Sequence, residues 1–256
     1  MRRIYICRDN VTGIFSAVYD AWKECRHTGD AGIALRGNMD TQFFCDYVET
    51  EQSEEKALAV EKLIVNHLGT EAYRGIYYAA LADDPLKGDA ILGTMLAARK
   101  IADSRKIMEY LTNPSVEKLF ELRRRVGNES HFFKEILRFR ELENGILYAR
   151  MDPKNQVLTC IAPHFADRLP QENWLIYDGT HRVFAVHQVG KSWVLLSGEE
   201  ADISRIERFS EEESEIQKLW KGFFKSISVQ ERESYTRQRQ HLPLWYRKNM
   251  VEFEQN

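Results

Sequence analysis

Histidine carries a proton either way near neutral pH, and seven are present. His131 stands in Asn128-Glu129-Ser130-His131-Phe132-Phe133-Lys134, with a carboxylate two residues before it and an ammonium three after. Asp178, His181 and Arg182 share one short segment, and His187 lies six residues past His181. A carboxylate beside an imidazole is a minimal acid–base pair. His131, Asp178 and His181 are therefore the catalytic candidates. Each also has a structural reading: a histidine at an element junction caps or hydrogen-bonds, and Asp and Gly occupy turns for backbone reasons. Two ligands do not define a metal site.

A second group of residues could hold phosphate. Arg138 and Arg140 alternate with Leu137 and Phe139, so on a strand they share one face. Lys134 and the run Arg123-Arg124-Arg125 lie upstream. Guanidinium groups grip phosphates with two parallel bonds, or these arginines pair with Glu135, Glu141 and Glu143. Charge separates sharply near the carboxyl end. Residues 199–215 carry eight acids against Arg205 and Arg208, net −6, and residues 218–248 carry eight bases against Glu231 and Glu233, net +6. Trp220, Phe223, Phe224, Tyr235, Trp245 and Tyr246 interleave with those bases. Cations among aromatics suit a phosphate backbone with stackable bases. The nucleic-acid-binding candidates are Lys134, Arg138, Arg140, Arg237, Arg239, Trp245, Tyr246, Arg247 and Lys248. The same pattern describes a helix whose aromatics pack inward while Lys and Arg stay wet, or cations neutralised by the preceding acids.

Several chemistries lack their motif. There is no phosphate-binding G-x-G-x-x-G or G-x-x-x-x-G-K-[ST], no H-E-x-x-H, no deaminase signature and no G-x-S-x-G elbow. Cys7, Cys25, Cys45 and Cys160 include no C-x-x-C pair, so no metal or cofactor is expected and the thiols read as reduced and mostly buried. The net charge of −3 means that attraction to nucleic acid must come from local clustering. No apolar run approaches the ~18 residues of a membrane helix, and the start lacks an export signal, so a cytoplasmic location away from membranes is expected.

These side chains need elements to hold them. Arg3–Cys7 reads as a strand. An amphipathic helix follows from Thr12-Gly13, with Ile14, Phe15, Val18, Tyr19, Trp22 and Cys25 on one stripe. Ser53 caps a helix that ends at Gly69-Thr70, where another starts. Asp83-Asp84-Pro85 breaks the pattern before a helix from about Leu86 to Ser104, and Asn113-Pro114 starts the next. The character changes near Gly127. Ile136–Leu142 reads as a strand, Asn144-Gly145 as a hairpin turn and Ile146–Met151 as its partner. Residues 156–168 fit a strand then a helix. Strands at Trp174–Tyr177, Arg182–Val186 and Trp193–Leu196 complete a small antiparallel sheet, and a helix from Glu213 to about Ser226 precedes the basic tail. The expected class is α+β: a mainly helical lobe with an N-terminal strand over residues 1–128, and a sheet lobe with a C-terminal helix over 129–256, joined as two lobes or one continuous domain.

The order of residues resembles a bacterial family assigned to DNA metabolism or DNA repair, whose activity is uncharacterised. The likeness rests on Glu129-x-His131 leading through Lys134 to Arg138-Phe139-Arg140-Glu141, on Trp174-x-Ile176-x-Asp178 with Arg182 and Ala185, and on Leu219-Trp220-Lys221, Phe224 and Ile227. Arg232, Gln238, Pro243, Tyr246 and Glu252-Phe253 complete it. Glu135, Ser234 and Asn10 depart from the family's usual residues. The resemblance implies DNA and a radical-SAM protein as partners. Some members are fused to a uracil-DNA glycosylase domain, which implies that enzyme as a further partner. This chain is similar to the linked component without the glycosylase, so an accessory role in DNA repair or modification is expected. A nucleic-acid-processing enzyme and a protein-interaction module without DNA binding stay open beside it.

Overall fold

The computed structural model describes residues 2–25, 30–37, 43–198, 244–247 and 250. They divide into two compact units, Met1–Asn128 and Glu129–Asn256. The class is α+β, as the sequence predicts.

The first unit begins β1 (Arg2–Cys7), α1 (Val11–Cys25), β2 (Ala31–Leu35) and β3 (Cys45–Glu49). The three strands form a parallel sheet in the order β2-β1-β3. Sequence reading finds only the first. β1 is apolar and central, with Ile4, Tyr5, Ile6 and Cys7 all buried. β2 is rich in small residues, and β3 lies in an acidic run with Asp46, Val48 and Glu49 exposed, so neither carries a strong strand propensity. Parallel partners also lack the local turn signal that marks a hairpin.

α2 (Glu54–Leu68), α3 (Thr70–Ala80) and α4 (Lys87–Ala98) follow, then a 3-10 helix (Ser104–Glu109) and α5 (Pro114–Ile136). α4 stops short of the expected Ser104. The expected caps are present. The Ser53 hydroxyl accepts from the Lys56 N–H at 3.4 Å, Gly69 ends α2 at φ +91°, and the Asn113 side chain accepts from the Ser115 N–H at 3.0 Å. The fully buried Ser16 hydroxyl donates to the Thr12 carbonyl at 2.7 Å and accepts from the Ser53 N–H at 3.0 Å. That tie fixes α1 against the start of α2. The Lys87 side chain is also fully buried; its Nζ donates to the Ala82 carbonyl at 2.6 Å and pairs with Asp9 at 2.5 Å. α4 lies close on β2 because residue 88 is glycine: a Cβ there would stand 2.5 Å from the Ile33 Cγ2.

Two expectations are corrected around residue 127. The buried Val116, Leu119, Leu122, Val126 and Phe133 recur at helical spacing across Gly127, so α5 continues to Ile136. The expected strand Ile136–Leu142 shrinks to β4 (Arg140–Glu141), and Arg138 stands outside it.

The second unit adds β5 (Leu147–Met151), α6 (Leu158–Arg168), β6 (Trp174–Asp178), β7 (Val183–His187), β8 (Val194–Ser197) and α7 (Leu244–Arg247). Its sheet runs β4-β5-β6-β7-β8. The Asn144-Gly145 hairpin forms, with Gly145 at φ +77°. The sheet is mixed rather than purely antiparallel: β5 and β6 are parallel, and α6 makes the crossover such a pair requires. No strand precedes α6. Trp174, Ile176 and Ala185 lie on one face with the buried Ile161, Ala162 and Phe165 of α6, while Tyr148, Tyr177 and Phe184 cluster with Leu142 on the other. Each buried large side chain contributes about 1.5–3 kcal/mol. The expected helix from Glu213 to Ser226 lies outside the described residues.

Among the described residues no helix is long and apolar enough to cross a membrane. No disulfide joins the four cysteines; Cys7 and Cys25 are buried, Cys45 and Cys160 partly so. Burial pushes the Cys7 thiol up to about 12.

Two glycines of the helical unit test this packing in opposite senses. Gly88→Ala is expected to destabilise by about 1–2 kcal/mol, because overpacking against Ile33 outweighs helix propensity. Gly127→Ala meets only the Tyr78 ring, at 4.0 Å, and is expected to stabilise by about 1 kcal/mol. Urea denaturation of both variants measures the difference.

Candidate functional site

Glu129 lies three residues after Val126 and four before Phe133, so helical spacing turns its carboxylate inward. It is 6% exposed. A buried carboxylate needs donors for both oxygens, and four are present. Oε1 accepts from the Lys154 N–H at 2.9 Å and the Tyr246 hydroxyl at 3.0 Å. Oε2 accepts from the Asn155 N–H at 2.8 Å and its side-chain amide at 2.5 Å. The Tyr246 ring packs against Phe132 and Phe133, with centroids 4.6 and 5.3 Å away. The Trp245 indole donates to the Asp152 carbonyl at 2.7 Å. α7 and the loop after β5 are thus tied to the end of α5. The residual space beside Trp245, Arg138 and Arg150 is about 10 Å³, room for one water and no ligand.

The outward face of the same helix end has another character. His131, Lys134 and Glu135 follow the i, i+3, i+4 spacing that puts residues on one helical stripe, and Arg138 lies two residues past the end of α5. His164, Phe165 and Arg168 of α6 stand across from them, and together they line a cavity of about 680 Å³. Leu137, Phe139, Leu147 and Leu169 add apolar lining, and Phe139 meets the Phe165 ring edge-on at 5.2 Å. Glu135 is the single carboxylate of the lining. It pairs with His131 at 3.2 Å, and its backbone carbonyl accepts from the Arg138 Nη1 at 3.1 Å. Lys134 and Arg168 make no ion pair among the described residues. The groove therefore carries three permanent cations against one anion, with stackable rings.

The three catalytic candidates do not converge. The Asp178 carboxylate, 1% exposed, accepts from the Thr180 and His181 N–H groups at 3.0 Å each and meets the His181 Nδ1 at 2.7 Å. The pair sits where β6 leaves the sheet, beside Gly179, whose missing side chain leaves room for the Asp152 carboxylate. Arg182 continues the turn at φ +54°. His131 lines the basic groove instead, 77% exposed, with no contact to Asp178 or His181.

Of the phosphate-binding candidates, Lys134 and Arg138 share the groove. Arg140 lies in β4 opposite Tyr148. Trp245 is half-exposed in α7, while Tyr246 is committed to Glu129, and Arg247 ends α7. Arg237, Arg239 and Lys248 lie outside the described residues. His164 and Arg168 were missed by sequence reading, although their four-residue spacing on an amphipathic helix is the signal that would have found them. Among the described residues no group of three or more His, Cys, Asp or Glu is placed to hold a metal ion.

Residues 87–252 match the family described as a domain of unknown function, DUF4130, and the chain belongs to that family. No curated protein matches the chain.

Replacing Glu129 by Ala is expected to destabilise the sheet unit by about 3 kcal/mol or more, since it strands buried donors. Burial, with the Glu129 charge adding to it, raises the Tyr246 hydroxyl well above the ordinary tyrosine range. A raised folded value means that the folded state keeps a proton the unfolded chain loses, so stability falls as pH rises above about 10. Tyr246→Phe should flatten that alkaline slope in chemical denaturation profiles.

Proposed function

We propose that this member of the DUF4130 family is an accessory protein of DNA repair or DNA modification that holds DNA in the basic groove beside α5. The observation that carries the reading is the meeting of Lys134, Arg138 and Arg168 in one cavity of about 680 Å³ with aromatic lining. Cations track the phosphate backbone, and rings accept unstacked bases. Such a surface suits a single strand better than a rigid duplex, because splayed bases can reach the part-exposed Phe139. Arg140, Trp245 and Arg247, and from sequence alone Arg237, Arg239 and Lys248, stand as further proposed DNA contacts. A radical-SAM protein and a uracil-DNA glycosylase stand as proposed partners on the strength of the family resemblance. In that arrangement this chain would supply DNA contacts and the partner the metal chemistry.

A second reading is an enzyme acting on a nucleobase or nucleic-acid backbone. The 2.7 Å contact between Asp178 and His181 favours it, because a buried carboxylate fixes the tautomer and orientation of an imidazole that can then move a proton. His131 would have no part in that pair.

Fluorescence anisotropy with labelled single-stranded and duplex DNA tests the main reading. Affinity should fall as salt rises, and Lys134→Ala and Arg168→Ala should each lower the salt slope by about one. Binding weaker than ~100 μM at low salt, or a salt-independent affinity, would overturn it and leave a protein-interaction module.

A further inference from the structure

The helical unit holds a second concave cationic surface, which takes in Arg123 and Arg124 of the arginine run noted in the sequence. Its cavity is about 560 Å³, within the range of about 300–1,000 Å³ typical of small-molecule sites. Arg74 of α3, Arg105 of the 3-10 helix, and Arg123 and Arg124 of α5 line it. Against these four guanidinium groups stand Glu71 and Glu109. Glu71 reaches only Arg123, at 3.7 Å, and is itself 82% exposed, so that pair neutralises little. The guanidinium groups of Arg74, Arg105 and Arg124 make no hydrogen bond or ion pair among the described residues. Their mutual repulsion is relieved by a bound anion.

Two further features narrow the ligand. Phe120 lies at the wall and is 40% exposed, an apolar ring with part of its surface open to the hollow and suited to stacking on a heterocycle. Gly75 lets the wall close in, since a Cβ there would stand 2.9 Å from the Met108 Cε and 3.4 Å from the Arg123 Cδ. The carboxylates of Glu71 and Glu109 would repel a continuous phosphate backbone but can accept from sugar hydroxyls or an exocyclic amine. We propose that this cavity binds a nucleotide: its phosphates between Arg74, Arg105 and Arg124, its base on Phe120, and its hydroxyl or amino groups on Glu71 and Glu109. The site is separate from the DNA groove and does not depend on it.

Isothermal titration calorimetry of the full chain with ATP, AMP and inorganic pyrophosphate tests this. ATP should bind with a Kd below about 1 mM, tighter than pyrophosphate. The exposed pair Arg105→Gln/Arg124→Gln should weaken ATP at least about tenfold with an unchanged circular dichroism spectrum. Phe120→Ala should weaken ATP roughly fivefold and leave pyrophosphate unaffected. Absence of ATP binding, or ATP binding indifferent to both variants, would overturn the proposal. Equal affinity for ATP and pyrophosphate would overturn the nucleoside part and leave a plain phosphate site. DNA anisotropy on the arginine double variant keeps the two sites apart. Retained DNA affinity with lost ATP binding is expected. Lost DNA affinity in a chain that never binds ATP would assign these arginines to the nucleic-acid path and overturn the nucleotide site.

Discussion

Burying a carboxylate costs several kcal/mol, and the cost is recovered only when every lone pair finds a donor. Glu129 meets that condition with donors from two segments far apart in the chain: Lys154 and Asn155 after β5, and Tyr246 in α7. The consequence reaches beyond those bonds. Fixing the inward face of the end of α5 also fixes its outward face, one rotation away, where His131 and Lys134 stand. Trp245 and Tyr246 are positioned by the same tie. The α5 side of the basic groove is therefore held by a buried carboxylate that does not itself line it.

Although the net charge is −3, the described residues hold two cation-lined hollows. Positive charge is gathered rather than spread. In the sheet unit it lies between α5 and α6, and in the helical unit it lies around Arg105 and Arg124. The two hollows differ in chemistry: the first is long on apolar lining with one carboxylate, the second short on it with two. A strand of DNA and a mononucleotide make correspondingly different demands, since only the first needs an uninterrupted run of phosphate contacts.

What could be read from the residues followed the local physics. Ser53, Asn113 and Gly69 announce helix ends because capping acts within one turn, and Asn144-Gly145 announces a hairpin because the turn sets the register. Asp178 and His181 were legible as a pair because three residues in a tight turn bring them together. Parallel strands β2 and β3 were not legible, since their partner is remote in sequence. Gly127 misled: a lone glycine reads as a break, yet the apolar stripe of α5 runs through it, and Glu129 and His131 proved helical. That error also hid the groove, because Arg138 was placed on a strand with Arg140 and not beside His131 and Lys134 at the end of α5. The arginine hollow, drawn from three elements, has no sequence signature.

Amide hydrogen exchange at Lys154 and Asn155 reads the central tie most directly. With the Glu129 carboxylate accepting from both, their N–H groups should exchange slowly in the native chain. In Glu129→Ala they should lose protection, while the Ile176 and Ala185 amides of the sheet stay protected. Equal exchange at Lys154 and Asn155 in the two proteins would contradict the account.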